Sequence, residues 1–520
     1  MTKPHAPSGF DAIDHVVVLM MENRSFDNVL GYLYPEGVPA DAPLSRCFEG
    51  LLEPDGTAKP LSNPVPATAR HRPPPGVERI AAEPVPPGAF DSPYPDPGEE
   101  FPHINTQLFG NAEGQGSPKM DGFVADYIRN FRATMNGRDP TYDDYRQIMR
   151  SYTPAHLPVL STLAREFAVF DHWFAAVPSQ TFCNRAFWHA GTSWGRVTNE
   201  PYPVWLRGSA APTIFNQLSA TNDPQLTWKV YSGNFAFYTL TALLHTDALK
   251  SFANDPAHFA GMDAFHADCA AGRLPAYSFV EPRFEDPHND WHPASPSGNV
   301  DGPNPPTAME LGELFVWQVY EAIRTSATSR GSNAMNTLLI ITCDEHGGCY
   351  DHVPPPRAIP PEMGDTPLQD GFDYTRLGLR VPMVMVSAHI AANTIVSTPL
   401  DHCSFMNTMR AKWEDHAPGA FPPLTARVAA AGKFTEVFTA RHPRPASEWP
   451  VIIPPAVPDP EALLPLTKTT PNHLQKSIAD AHAHLRAQGH SAVAGKAIPG
   501  GSSPDLGRLG AKVPRFDDLV

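Results

Sequence analysis

Two apolar runs, far apart in the chain, each stop at a pair of oxygen-bearing side chains. Residues 13–21 (IDHVVVLMM), interrupted only by Asp14 and His15, lead into Glu22 and Asn23, and residues 337–343 (TLLIITC) lead into Asp344 and Glu345. A run without a polar face suits a strand only when both faces are covered, the condition of a parallel sheet between helices. After the first run, Phe26, Val29, Leu30 and Leu33 fall on one helical stripe, with Ser25 placed to cap it and Gly31 as its weak point. A third strand is expected at residues 381–387 (VPMVMVS), where Pro382 fits only near a start or an edge, and a long helix from Met309 to Arg324. This alternation predicts an α/β fold with a large, mostly parallel central sheet between helices.

Ligands of such sheets bind beyond the carboxyl ends of the strands. Glu22, Asn23, Asp344 and Glu345 are therefore expected in one crevice, with the loop after the third strand reaching Asp401 and His402. Carboxylates gathered there repel one another, and a divalent cation such as Ca²⁺, Mg²⁺, Mn²⁺ or Zn²⁺ removes the conflict. The plainer alternative is that acidic residues merely form turns at strand ends. Histidines in dense polar contexts are His103, His288, His292, His352 and His402, each within four residues of an Asp or Glu that could fix its tautomer.

The 520 residues suffice for a sizeable core, and 39 Lys plus Arg against 55 Asp plus Glu give a net charge of -16. Such a surface repels a phosphate backbone, so general nucleic-acid binding is not expected. No apolar run approaches the roughly 20 residues of a bilayer span. Proline, at 60 residues, clusters around 35–97, 354–361 and 443–460 and predicts long, stiff loops. Six scattered cysteines do not make a disulfide framework, although one bridge stays open. The first residues show no secretory signal, which points to the cytosol unless a signal was removed or is unrecognisable. The chain divides by composition into residues 1–440 and a C-terminal extension, 441–520, of proline-rich linker, a helix facing inward through Leu474, Ile478, Ala481 and Leu485, and a tail. The extension could act as a lid.

Gly191-Thr192-Ser193-Trp194-Gly195 matches G-x-S-x-G, the nucleophile elbow of serine hydrolases. The elbow needs a buried strand before it, and residues 184–190 (NRAFWHA) do not read as one.

Five blocks in order carry a resemblance to a known family. They are residues 22–27 (ENRSFD) followed by Gly31, residues 181–185 (TFCNR), residues 344–356 (DEHGGCYDHVPPP), residues 378–382 (GLRVP) and residues 401–404 (DHCS). Together they resemble the bacterial and plant phosphoesterases that include non-specific phospholipases C and type C acid phosphatases, within the alkaline phosphatase superfamily. Cys183 stands where that pattern usually has proline. Asp96-Pro97-Gly98-Glu99-Glu100 departs from relatives that carry a histidine after D-P-G.

The resemblance implies an alkaline-phosphatase-like sandwich, a metal held by Glu22, Asn23, Thr181, Asp344 and Glu345, and Thr181 as nucleophile. A threonine hydroxyl is a poor nucleophile until a cation lowers its pKa, so the residue types agree with that role. Asn184 and Arg185 would stabilise phosphoryl oxygens, His292 or His352 would protonate the leaving oxygen, and His103, His288 and Asp290 are further candidates for phosphate contact. The expected reaction is phospholipase C cleavage of phosphatidylcholine-type lipids through a phosphothreonine, with transient contact to a membrane surface. Alternatives are an acid phosphatase and a metal-dependent binding protein without turnover. Trp173, Trp188, Trp194, Trp291 and Tyr350 lie near the motifs, either as core or as rings against a quaternary ammonium. The resemblance also leaves a secreted or periplasmic location open.

Overall fold

A computed structural model describes residues 9–199, 201–208, 210–233, 239–252, 255–284, 288–293, 308–362, 364, 366–456 and 472–487. Its centre is an eight-stranded sheet. In chain order the strands are β1 (His15–Met21), β2 (Ala168–Phe170), β3 (Trp228–Ser232), β4 (Phe259–Gly261), β5 (Tyr277–Glu281), β6 (Thr337–Cys343), β7 (Met383–Val386) and β8 (Thr394–Val396). Across the sheet the order is β8-β2-β7-β6-β1-β5-β3-β4. All neighbours are parallel except β7, which runs antiparallel to both β6 and β2.

The two long apolar runs sit at the middle. β1 pairs in parallel with β5 on one side and β6 on the other, and every residue of β6 is buried, as continuous hydrophobicity requires. The third strand is shorter than its apolar run because it begins after Pro382, which has no N–H to give to the ladder. The helix after β1 is also short. It covers Phe26–Leu30, with the Ser25 hydroxyl accepting from the Asn28 N–H, and it ends at Gly31, where a side chain would strike Asp27 O and Leu51. The long helix spans Ala308–Arg324.

The proline-rich stretch is ordered by a local pairing of Ser62–Pro64 with Arg79–Ala81 and a distant one of Glu83–Pro84 with Arg150–Ser151. After residue 440 the chain returns to the main core, to which Trp449, Ile452, Leu474, Ile478, Ala481 and Leu485 belong. The last four lie on one face of the helix His473–Ala487, as their spacing predicts. The expected tail beyond Gly489 lies outside the described residues. All six cysteines are free. Among the described residues no helix is long and apolar enough to cross a membrane.

Candidate active site

Register builds the site. Met21 pairs with Cys343, so Glu22 and Asp344 leave adjacent parallel strands side by side. Both are fully buried, as are Asn23 and Glu345. Asn23 holds φ +50°, a left-handed conformation that asparagine tolerates, and its N–H donates to Asp344 Oδ1 at 3.3 Å. The opposing turn needs glycine: a Cβ on Gly347 (φ +61°) would meet Asn23 O at 2.2 Å.

The helix Thr181–Ala190 brings the third part. Thr181 is its first residue, wholly buried, and its hydroxyl donates to Glu22 Oε2 at 3.0 Å. One turn on, Arg185 Nε donates to Glu22 Oε1 at 3.0 Å and to Asp344 Oδ2 at 3.3 Å. Its guanidinium lies over the Phe284 ring at 5.2 Å, and its Nη1 is buried without a partner. Asn184 serves the helix entrance instead: its amide donates to Val177 O and Ser179 O, and its Oδ1 accepts from Val177 N–H. Cys183 lies in the first helical turn, a place that also accepts the proline usual in the family pattern.

The segment after β5 supplies Asp290, whose carbonyl accepts from the Glu22 N–H at 2.8 Å, and His292. Asp290 Oδ1 is 2.7 Å from His288 Nδ1 and accepts from the His292 N–H at 3.0 Å. His292 Nδ1 is 2.9 Å from Pro293 O, and its Nε2 is 2.9 Å from Asn23 Nδ2. The proline-rich loop brings in Glu99, which accepts from the Asn23 amide and, at 3.1 Å, from Gln180 Nε2. Behind the strand end, His402 Nε2 donates to Asp344 O at 2.6 Å while its Nδ1 accepts from Trp173 Nε1 at 3.2 Å.

Negative charge exceeds positive here. Burial, then the neighbouring Asp344, raises the Glu22 carboxyl well above the usual range, with Arg185 opposing. Burial, then Glu99 and Asp344, does the same to Glu345. Burial, then Glu100, pushes Glu99 up to about 8. Burial lowers His292 to about 4, so its imidazole is neutral near pH 7. Fully buried Asn23 and Glu345 each keep an oxygen, Oδ1 and Oε1, without a partner. Orphaned hard oxygens beside uncompensated carboxylates are the donor set that a divalent cation fits.

Two sequence candidates lie apart from this group. His103 Nδ1 bonds Asp126 at 2.9 Å and its Nε2 is 3.7 Å from Glu100. His352 belongs to a second buried cluster, between Asp27 Oδ2 at 2.6 Å and Glu49 Oε1 at 2.9 Å, with Arg380 joining Asp27 and Asp351 at 2.8 and 2.9 Å. Ser193 has no histidine at its hydroxyl: Oγ donates to Arg196 O at 2.7 Å and meets Tyr374 OH at 3.1 Å, and a helix rather than a strand precedes it. Trp173, Trp188, Trp291 and Tyr350 are buried. Their rings are core, not a headgroup cage. Sequence reasoning did not assign Asp96, Glu99 or Gln180 to the site, although the D-P-G-E-E departure marked that loop.

A family model described as the phosphoesterase family matches residues 13–414, a span that contains every residue placed in this crevice. The chain belongs to the phosphoesterase family. Among relatives, non-specific phospholipase C1 of Arabidopsis thaliana is 32% identical over 474 residues, covering 87% of this chain and 75% of that protein. Phospholipase C B of Mycobacterium tuberculosis is 26% identical over 469 residues, covering 85% and 80%. A solved structure of an alkaline phosphatase superfamily protein from Vibrio parahaemolyticus aligns with TM-score 0.31 and 10% identity, over 65% of this chain and 81% of that one. As a phosphoesterase, this chain is a phosphoric ester hydrolase, and its crevice is the candidate active site.

Proposed function

We propose that this phosphoesterase is a metal-dependent phospholipase C that cleaves phosphatidylcholine-type lipids to diacylglycerol and a phosphorylated headgroup through a phosphothreonine at Thr181. The observation that carries the reading is the Thr181 hydroxyl donating to Glu22 Oε2 at 3.0 Å, at the joint carboxyl ends of β1 and β6. When bound, a divalent cation held by Glu22, Asn23, Thr181, Asp344 and Glu345 supplies Lewis acidity that lowers the hydroxyl pKa and withdraws charge from phosphoryl oxygens.

The chain's own groups account for the rest. Glu22 takes the Thr181 proton as Oγ1 bonds to phosphorus, and the unpartnered Arg185 Nη1 meets a phosphoryl oxygen. The bond from phosphorus to the diacylglycerol oxygen breaks, and that oxygen takes a proton from the His288–Asp290 pair. Water then attacks the phosphothreonine. The His288–Asp290 pair, which gave its proton to the leaving oxygen, takes one back from the attacking water, while neutral His292 is held by Pro293 O through Nδ1. Thr181 Oγ1 recovers its proton from Glu22. The acidic crevice favours a headgroup bearing positive charge, and the relatives named phospholipase C support the diester.

The test pairs a phosphocholine diester with the corresponding monoester on metal-loaded protein, beside Thr181→Val. Faster diester cleavage, abolished by the substitution while metal content persists, is expected. A tenfold or greater preference for the monoester makes the protein a phosphatase. Unchanged turnover in the variant removes Thr181 from the mechanism, and no turnover of either ester leaves a metal-binding protein.

A further inference from the structure

We propose that a cavity outside the crevice binds a phosphocholine-type zwitterion, with the phosphate held by Arg357 and Arg376 and the quaternary ammonium lodged among Glu113, Asp370 and Asp373. None of the crevice residues lines it, and the inference stands apart from the proposed reaction. The cavity lies between the helix Phe101–Phe109 and residues 355–357 and 370–376. Its volume of about 440 Å³ falls within the roughly 300–1,000 Å³ of small-molecule sites.

Backbone pairing builds the anion end. Arg357 and Arg376 face each other in an antiparallel bridge, flanked by the Ala358 N–H donating to Thr375 O at 2.8 Å and the Leu377 N–H donating to Pro356 O at 3.1 Å. They are thus the opposed pair without mutual hydrogen bonds, the arrangement that sets two side chains closest together on one face. Like charges so placed repel. Among the described residues neither guanidinium has an ion-pair partner.

The Arg376 guanidinium lies over the Phe109 ring at 4.7 Å and the Phe372 ring at 5.8 Å. Its donors lie in its own plane, so the rings cover its faces and leave its edge for bonding. That edge is largely unused: Nη2 donates to Asn105 Oδ1 at 2.8 Å, and Nε is buried without a partner. Asn105 is held from behind by Gly114 (φ +68°), where a Cβ would meet its Oδ1 at 2.8 Å. Burial lowers Arg376 to about 10, and Asp373 opposes that fall only in part. The Asp373 carboxylate is engaged by its own turn, accepting from the Thr375 N–H at 3.1 Å and the Thr375 hydroxyl at 2.7 Å.

A simple anion suits only half of this cavity. The carboxylates of Glu113, Asp370 and Asp373 share its wall with the two arginines, and the molecule carries a net charge of -16. A ligand bearing both signs satisfies both. Two guanidinium forks side by side span the oxygens of a tetrahedral phosphate, whereas a planar carboxylate fills only one. The rest of the wall, Phe101, Phe109, Phe372, Pro355 and Pro356, is apolar and favours a methylated ammonium over a bare amine. Free phosphocholine and the headgroup of a phosphatidylcholine bilayer share this chemistry.

The test titrates full-length, metal-stripped protein calorimetrically with phosphocholine, choline and inorganic phosphate. One equivalent of phosphocholine is expected, bound at least about tenfold more tightly than either fragment. Arg376→Met should weaken it at least about tenfold, and Thr181→Val, in the crevice, should leave it unchanged. Phosphate bound as tightly as phosphocholine overturns the zwitterion. Absence of binding, or an isotherm that Thr181→Val abolishes and Arg376→Met leaves unchanged, overturns the cavity. Co-sedimentation with phosphatidylcholine vesicles separates the sources. Vesicle binding that Arg376→Met loses supports the cavity with a lipid headgroup as its ligand, and binding of free phosphocholine alone supports it with the soluble molecule. If circular dichroism shows Arg376→Met unfolded, Arg357→Gln at the exposed position takes its place: about threefold weakening is expected, and an unchanged isotherm overturns the proposal.

Discussion

The molecule carries two buried clusters of the same ingredients, carboxylates, an imidazole and an arginine, and they are balanced differently. Around Arg380, Asp27 and Asp351 each have a guanidinium contact, and His352 closes on Asp27 and Glu49. Around Arg185, a single guanidinium faces Glu22 and Asp344 while Asn23, Asp96, Asp290 and Glu345 keep orphaned oxygens. Compensated charge makes a brace; a deficit of positive charge makes a place for an ion and a substrate. What separates the two is the electrical closure of each group, not its composition.

That contrast can be broken at either end. The largest expected effect is on turnover: Asp344→Asn should lower kcat about 10³-fold, or ~4 kcal/mol, with the far-ultraviolet spectrum unchanged. Next is stability. Arg380→Met leaves Asp27 and Asp351 buried without their cation and should lower unfolding free energy in urea by about 3 kcal/mol.

The pH dependence follows from the same brace. Burial opposes charge on His352, but Asp27 and then Glu49 outweigh it and lift the imidazole to about 9, with Arg380 opposing. A raised histidine stabilises the fold fully below its unfolded value near 6.5, and the contribution disappears as pH rises through 9. Wild-type protein should therefore lose on the order of 2 kcal/mol across that window, and His352→Gln should flatten the profile. A profile left unchanged by the substitution would deny the brace its charge. The smallest effect has the opposite sign: in chelated protein, Glu345→Gln removes an unpaired buried carboxylate and should raise stability by ~1 kcal/mol. Destabilisation there would mean that the crevice is already neutral without metal.

The sequence disclosed the parts whose environment repeats along the chain. β1 and β6 were legible because both faces are buried, so their hydrophobicity is continuous and their ends are sharp. Glu22, Asn23, Asp344 and Glu345 followed from those ends. Asp96 and Glu99 did not, because they sit in a proline-rich loop without periodicity and reach the crevice only through its tertiary path. Nor did adjacency separate His292 from His352, since both have acidic neighbours in sequence and only packing shows which imidazole joins Asn23 and which joins Asp27. For the aromatics the sequence left core and headgroup contact both open, because closeness to motifs along the chain says nothing of ring exposure.

The bond between the Asn23 N–H and Asp344 joins positions 321 apart, which bears on how the protein is born. A ribosome that has finished the first half of this polypeptide has made Glu22 and Thr181, but not the strand that brings Asp344 and Glu345 beside them. Ester-cleaving power thus arrives late and all at once, and a prematurely ended chain lacks half of the acidic group.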